Sequence, residues 1–305
     1  MSSNFSVSRT SCDNLRISAL VCMLIALGGC GGGGSSDSSG SSSSQPDSQT
    51  IEGRVTDPGI EDAAVRLVDA QGQTLTTVTR TDAQGQFKVS VDAGLNPNEL
   101  LVRANGGVDS QTGLDFAGLT LSAKASGDSE TIVSPLSTLA RASQGGAADF
   151  AESLDVSTSA LLGDPTTNPK AQRISLVTGE LLLALSETNN PTARVESALR
   201  NANGDLTQAA LTLGADSAIS EQARVQLDEV ANRAQRLTEM GDTPSSAADV
   251  VGEFSRDHIE AGLTAFYRNQ LNFPLTMATE KNNLATLAKS VWSANGQRGI
   301  PSDSA

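Results

Sequence analysis

Apolar and polar side chains alternate in a series of short stretches after residue 48, which is the pattern of half-buried β-strands. The stretches read TIEGRV, AAVRLVD, TLTTVTRT, QFKVSV, ELLVRA and LTLSA. Positions predicted to face the core include Val65, Leu67, Phe87, Val89 and Val91. Turn residues separate the stretches, as in Asp57-Pro58-Gly59. Strands spaced by about 8 to 15 residues predict an all-β sandwich over residues 51–133.

From residue 134 onwards, apolar positions recur with the period of an α-helix. In the clearest stripe, within residues 216–240, these positions are Ile219, Ala223, Leu227, Val230, Ala234 and Leu237. The charged positions assigned to the solvated side are Glu221, Arg224, Asp228, Arg233 and Arg236. We expect about five or six helices packed as a bundle over residues 134–305.

Three further segments of this region carry helix signals. Within residues 168–187, the positions on one broad apolar face are Ile174, Val177, Leu181, Leu182 and Leu185. Thr243-Pro244 is predicted to begin a helix that ends near Asn272. A last helix is expected from Pro274 to about Ala294. The whole chain is therefore predicted to be multidomain, with an all-β part followed by an all-α part.

The amino-terminal segment has a different composition. Arg9 and Arg16 precede an apolar run from Ile17 to Leu27. This run is shorter than the roughly 20 residues that a membrane-spanning helix needs. It has the length of the apolar part of a signal peptide, which we assign to residues 1–29.

Glycine and serine dominate the segment that follows. Residues 31–44 contain only these two types apart from Asp37. Such a segment buries no apolar surface that would offset the entropy of ordering it. Residues 30–50 are therefore predicted to form a tether with a reach of roughly 25 Å.

The sequence Leu27-Gly28-Gly29-Cys30 resembles the lipobox of bacterial lipoproteins. The resemblance implies cleavage between Gly29 and Cys30, and lipidation of Cys30 by several acyl chains. Each buried methylene contributes about 0.8 kcal/mol, so such an anchor is durable. Gly31, rather than aspartate, follows the cysteine, and the resemblance then favours the outer over the inner membrane of the cell envelope.

The remaining cysteines, Cys12 and Cys22, lie in the predicted signal peptide. With Cys30 lipidated, the mature chain is expected to have no disulfide, no thiol nucleophile and no cysteine metal site.

Three segments of the predicted sandwich resemble the carboxypeptidase-regulatory-like, or transthyretin-like, Ig-like β-sandwich. They are Gly53-Arg54-Val55, residues 64–67 and Thr-Asp-Ala-Gln-Gly-Gln-Phe at residues 81–87. In the last one, Asp82 is expected to bond turn amides, Gly85 to adopt a positive φ and Phe87 to anchor the core. The resemblance implies a fold used as a spacer or stalk, and no catalytic residue.

A third resemblance concerns the end of this part. Residues 131–139, TIVSPLSTL, resemble a junction in bacterial envelope proteins where a β-sandwich passes into a helical region. Gly163-Asp164-Pro165 and Asn168-Pro169 are similar to the feature that follows in that group.

Candidate catalytic chemistry is sparse. The single histidine, His258, would have to serve any Ser-His-Asp triad, and its neighbour Asp257 would not face it on a helix. One histidine excludes a His-pair zinc site, and no phosphate-binding glycine loop follows a strand. We expect no enzyme activity, no metal and no cofactor.

Charge and composition exclude further classes. The net charge of −14 opposes binding to a phosphate backbone, so nucleic acid is not an expected partner. Aromatic residues make up 3% of the chain, which disfavours a carbohydrate site built on stacking.

These patterns predict a lipid-anchored, non-enzymatic envelope lipoprotein. It would be an accessory or binding subunit of a transport, uptake or assembly system, with uptake of apolar compounds as one variant and an outer-membrane transporter as one candidate partner. The alternative is a structural or adhesive surface lipoprotein with the sandwich as its stalk. Candidate partner-binding residues, alternatively closing the bundle, are Phe254, Phe266, Tyr267, Phe273 and Trp292.

Overall fold

A computed structural model describes residues 48–240 and 246–270, with side chains as far as residue 259. Strands occupy this range up to Val133, and helices follow from Pro135 onwards. We call residues 48–133 the β region and residues 134–270 the helical region. The change from strands to helices falls where the hydrophobic pattern predicts it.

The β region contains two larger sheets and one short ladder. Its strands are β1 (Ser48–Val55), β2 (Ile60–Glu61), β3 (Ala64–Val68), β4 (Thr79–Arg80), β5 (Gln86–Asp92), β6 (Leu101–Asn105), β7 (Val108–Asp109), β8 (Thr120–Lys124) and β9 (Thr131–Val133). One sheet has the order β5-β1-β9, with β1 antiparallel to β5 and parallel to β9. The other has the antiparallel order β4-β3-β6-β8, and β2 pairs with β7.

Strand β5 shows why the alternating pattern predicts this region well. Phe87, Val89 and Val91 are buried, and the positions between them are exposed. In the turn before β5, Asp82 Oδ1 accepts hydrogen bonds from the amides of Gln84 (2.9 Å) and Gln86 (2.8 Å). Gly85 has a φ of 77°, as its role in the turn requires. The roles expected of Asp82, Gly85 and Phe87 are confirmed.

The prediction of a full strand over residues 74–81 is wrong. Only Thr79 and Arg80 form a strand, and Val78 is 54% exposed. β4 is the edge strand of its sheet, and before it Thr74 makes one isolated bridge to Val68. High β-propensity at an edge, without burial, does not suffice to extend a strand.

Eight α-helices follow in the described residues. They are α1 (Pro135–Ala142), α2 (Gly146–Ser153), α3 (Thr158–Leu162), α4 (Pro169–Ala184), α5 (Pro191–Asn201), α6 (Leu206–Gly214), α7 (Glu221–Glu239) and α8 (Ala247–Gln270). The expectation of five or six helices was too low because α1, α2 and α3 have only 8, 8 and 5 residues. Helices this short show no sustained apolar stripe. The helix predicted from Pro274 lies outside the described residues.

Helix α7 buries all the apolar positions predicted for it, from Ile219 just before the helix to Leu237. Arg233, expected on its solvated side, is only 4% exposed. The correction has a specific cause, because a buried carboxylate on α4 pairs with this arginine.

Helix α4 is buried around most of its circumference and not on one face alone. Helices α1, α5, α7 and α8 all contact it. Besides the predicted apolar positions, it buries the polar residues Gln172, Ser175, Thr178 and Glu180. The central position of α4 therefore places polar side chains in the core.

A helix cap and hydrogen bonds between β8 and α1 join the β region to the helical region. Ser134 caps α1 in a reciprocal capping box with Ser137. The amide of Ser122 in β8 donates to Thr138 Oγ1 at 2.8 Å, and Ser137 Oγ donates to the carbonyl of Ser122 at 3.2 Å. Buried side chains of both regions form one hydrophobic cluster, and the described residues belong to one compact unit. A division into domains at residues 133 and 134 stays a prediction.

Candidate functional site

A cleft of about 520 Å³ opens between the β7–β8 loop and the helices α4, α7 and α8. The loop contributes Gly113, Leu114, Asp115 and Ala117. Polar side chains from the helices are Glu180, Gln226, Glu229, Arg233 and His258, Ser186 follows the end of α4, and apolar ones include Leu183 and Val230. Residues of both the β region and the helical region therefore line the cleft, and its surface is partly polar and partly apolar.

The floor of the cleft is a two-bond ion pair between α4 and α7. Arg233 Nε donates to Glu180 Oε2 at 2.8 Å, and a second guanidinium nitrogen lies 2.8 Å from Oε1. The two side chains are 5% and 6% exposed. The guanidinium carbon of Arg233 also lies 5.6 Å from the centre of the Phe254 ring. This geometry satisfies both buried charges and holds Arg233 in place.

His258 stands at the mouth of the cleft on α8. Its side chain is 35% exposed, and Nδ1 lies 3.8 Å from Glu180 Oε1, which is too long for a hydrogen bond. The ring is nearly parallel to Phe254, with 6.4 Å between centres. Asp257 instead accepts a hydrogen bond from Arg236 Nε at 2.7 Å. His258 and Asp257 do not form a catalytic pair, as their adjacent positions on a helix predict.

The charge inside the cleft is predominantly negative. It is lined by the carboxylates of Asp115, Glu180 and Glu229, and its one arginine is paired with Glu180. Asp115 Oδ1 accepts the amide of Ala117 at 2.9 Å, which shapes the loop at the rim. The apolar patches between these groups complete a surface suited to binding a ligand with apolar and cationic parts, rather than an anion.

Two aspartates are buried below the cleft, and we call Asp57 and Asp109 the acid pair. Asp57, in the turn between β1 and β2, is 0% exposed, and Asp109 at the end of β7 is 1% exposed. Burial raises the pKa of Asp57 well above its ordinary value, and the charges of Asp109 and Glu180 raise it further, against the opposing effect of the Ser175 hydroxyl. Burial also raises the pKa of Asp109 to about 7, against the opposing effect of amide hydrogen bonds from Thr112 and Gln111.

The helix beside the acid pair presents neutral polar groups. Gln172 and Ser175 are fully buried, and within the described part of the chain their side-chain polar atoms meet no hydrogen-bond geometry, although the Ser175 hydroxyl lies close enough to Asp57 to affect its pKa. Ser175 and Gly179 follow Gln172 by three and seven residues, so all three lie on the same face of α4. A Cβ atom at Gly179 would lie 2.5 Å from Asp57 Oδ2. The glycine is therefore what allows Asp57 to approach the helix.

Of the residues singled out from the sequence, His258 lines the cleft. Phe254 is fully buried, so this ring belongs to the core and not to an exposed contact surface. Phe266 and Tyr267 lie within α8. Phe273, Trp292, Gly29 and Cys30 lie outside the described residues.

The sequence does not single out Glu180, Arg233 or Asp109, and it suggests only a turn role for Asp57. One signal was present, since Arg233 lies between Val230 and Ala234, close to the apolar stripe of α7. Nothing local distinguishes Asp57 from other turn aspartates, because the groups that surround it are distant in sequence.

Comparison of the chain with known protein families, with curated proteins and with solved structures finds no match in any of the three. Within residues 48–240 and 246–270, no helix is both long enough and apolar enough to cross a membrane. In the same ranges, no group of three or more His, Cys, Asp or Glu side chains is arranged to hold a metal ion. The site is therefore interpreted from its own geometry.

Proposed function

We propose that the chain is a lipid-anchored, non-enzymatic lipoprotein of the bacterial cell envelope, and that it acts as an accessory or binding subunit of a transport, uptake or assembly system. The observation that carries this proposal is Leu27-Gly28-Gly29-Cys30, placed directly after a short apolar run. The glycine and serine segment that follows would hold the folded unit away from the lipid surface. The resemblance at Cys30 favours the outer membrane.

In this proposal the β region is an Ig-like, transthyretin-like sandwich and the helices form a bundle. Its support is that the two larger sheets direct their alternate side chains into one cluster. Phe87 and Val89 come from one sheet, and Val65 and Leu67 from the other. The helices α4 and α7 contribute to the same cluster.

The cleft supports a binding role more than a catalytic one. Its histidine lacks an orienting hydrogen bond, and its arginine is held by Glu180. A general base needs a partner that orients it, and among the side chains described here the nearest carboxylate to His258 Nδ1, that of Glu180, lies at 3.8 Å, beyond hydrogen-bond distance. Mixed apolar and acidic walls fit recognition of a partly apolar ligand.

Lipidation is tested by replacing Cys30. The full chain with Cys30→Ala should lose all label from radioactive palmitate, while Cys22→Ala should keep it, because Cys22 lies in the predicted signal peptide. Label that persists in Cys30→Ala would overturn the anchor, and with it the proposed location.

Partner binding is tested by capture from solubilised envelope membranes. Removal of residues 244–305 would also remove α8, whose buried Val250 and Val251 pack into the core. A deletion of residues 271–305 avoids this loss, because α8 is left whole. We expect the full chain to capture a membrane protein in stoichiometric amount and the deletion to lose it. Surface exposure of the full chain without a partner would favour the structural or adhesive alternative.

A further inference from the structure

We propose that the acid pair, Asp57 and Asp109, carries protons at the contact between the β region and α4, and that losing these protons loosens the wall of the cleft above it. This would make the cleft sensitive to pH. The inference rests on burial, contacts and neighbouring charges, and it does not depend on the proposed function.

Both carboxyl groups are shielded from water and incompletely bonded. Within the described residues, neither oxygen of Asp57 meets hydrogen-bond geometry and Asp109 Oδ2 has no partner, although the nearby Ser175 hydroxyl opposes part of the rise in the pKa of Asp57. Transfer of an ionised carboxylate into such a place is far more costly than transfer of the neutral acid. Burial alone therefore favours the protonated form of each side chain.

The surrounding charges favour the same form. Asp57 faces Asp109 from β7 and Glu180 from α4, which are both acidic. Glu180 is matched by Arg233 of α7, and His258 Nδ1 of α8 lies 3.8 Å from Glu180 Oε1. Among the ion pairs of the described residues, none includes Asp57 or Asp109. Ionising either acid would add a negative charge without a cation to balance it.

Helix α4 brings no cation to its contact with Asp57. At the contact it offers Gly179, which has no side chain, and the hydroxyl of Ser175. Neither residue supplies positive charge. The raised pKa values of Asp57 and Asp109 agree with this geometry.

Asp109 also connects the acid pair to the cleft. Its Oδ1 accepts the amides of Gln111 (2.7 Å) and Thr112 (2.9 Å), and its own amide donates to the carbonyl of Leu114 at 2.8 Å. Leu114 and the residues on both sides of it line the cleft. Ser255 Oγ of α8 donates to the carbonyl of Gln111 at 3.2 Å, which fixes the same loop to the helices. Repulsion at Asp109 would therefore act on the loop that forms one wall.

Infrared spectroscopy of the full chain tests the protonation directly. At pH 6, exposed aspartates are ionised, and we expect a carbonyl stretch from buried carboxylic acids that disappears as the pH rises past 7 and beyond. Asp57→Asn and Asp109→Asn should each remove part of this band. The matched control is Asp82→Asn, since Asp82 is an exposed turn residue that accepts two amides in the way Asp109 does. A wild-type spectrum without the band at pH 6 would overturn the proposal, whether or not the variants fold.

Denaturant unfolding at a series of pH values tests the consequence. An acid whose pKa is raised by folding still holds its proton in the folded chain at pH values where the unfolded chain, with a pKa of about 3.8, has released it. The free energy of unfolding therefore falls as the pH rises from about 3.8 to the pKa of the folded state. The folding equilibrium constant should fall about tenfold per pH unit for each acid between these limits. Asp57→Asn should remove the tenfold change per pH unit that Asp57 contributes. Asp82→Asn should leave the contributions of Asp57 and Asp109 unchanged.

The same experiment separates protons from a bound cation. If calcium restored the stability of the wild type at pH 8, and Asp57→Asn abolished that effect, the acid pair would be an ion site and the proposal would be wrong. A stability that does not change between pH 5 and 8 would also overturn it. Hydrogen exchange of residues 110–117, corrected for the intrinsic effect of pH, should be faster at pH 8 than at pH 6 if the wall of the cleft is loosened. Unchanged protection of these residues would contradict the proposal.

Discussion

Polar side chains are used differently in the two regions of this molecule. In turns of the β region they bond amides close by in sequence, as Asp82 does with Gln84 and Gln86, and Asp69 with Gln71 and Gln73. Around the cleft, by contrast, polar contacts span long distances in sequence. Arg233 binds Glu180 across 53 positions, and Ser255 binds Gln111 across 144. Local contacts shape turns, whereas distant ones build the cleft and the acid pair below it.

The largest effect should come from breaking the buried ion pair of Arg233 with Glu180, whose side chains are 5% and 6% exposed. Arg233→Met leaves Glu180 buried without its partner, and loss of one member of a buried pair costs about 3–5 kcal/mol. Denaturant unfolding measures this cost. The control is Lys88→Met, because Lys88 forms an exposed pair with Glu52 and should cost less than about 1 kcal/mol. Equal costs for the two variants would show that the floor of the cleft does not stabilise the fold.

A smaller effect is expected where the regions meet at Gly179. A methyl group there would lie 2.5 Å from Asp57 Oδ2, and forced overpacking typically costs about 1–3 kcal/mol. Gly214→Ala is the matched control at the end of α6, where the nearest atoms lie at 3.7 Å and 3.8 Å. There the gain in helix propensity should stabilise by up to about 1 kcal/mol. If both variants behaved alike in thermal unfolding, the close contact of Asp57 with α4 would be refuted.

The smallest effect should come from a local contact in the β region. Asp82→Ala removes two amide hydrogen bonds in an exposed turn, and we expect a loss of about 1 kcal/mol. Asp128→Ala, also exposed, should change stability by less than about 0.5 kcal/mol. A loss for Asp82→Ala as large as that for Arg233→Met would remove the contrast between local and distant contacts.

This contrast also explains how much the sequence predicts. Phe87 and Leu227 were assigned to the core correctly because each is part of a local period, of two residues in a strand or 3.6 in a helix. Ser134 marks the start of the helical region because a cap is also local. The charge of Arg233 predicts a solvated position, and the prediction fails because Glu180, which neutralises this charge, is brought near only by tertiary packing. Asp57 was assigned only a turn role for the same reason, since Gly179 lies more than a hundred residues away.

The β region and the helical region share one hydrophobic core across the contact of Asp57 with α4. Hydrogen exchange followed by mass spectrometry on the full chain tests it most directly, because protected amides report the free energy of the opening that exposes them. At pH 6 we predict that the slowest amides of β5 and of α7 exchange through the same global opening, with free energies equal to within about 0.5 kcal/mol. If the amides of β5 stay protected while those of α7 exchange, the regions are independent domains and the claim of one shared core is wrong.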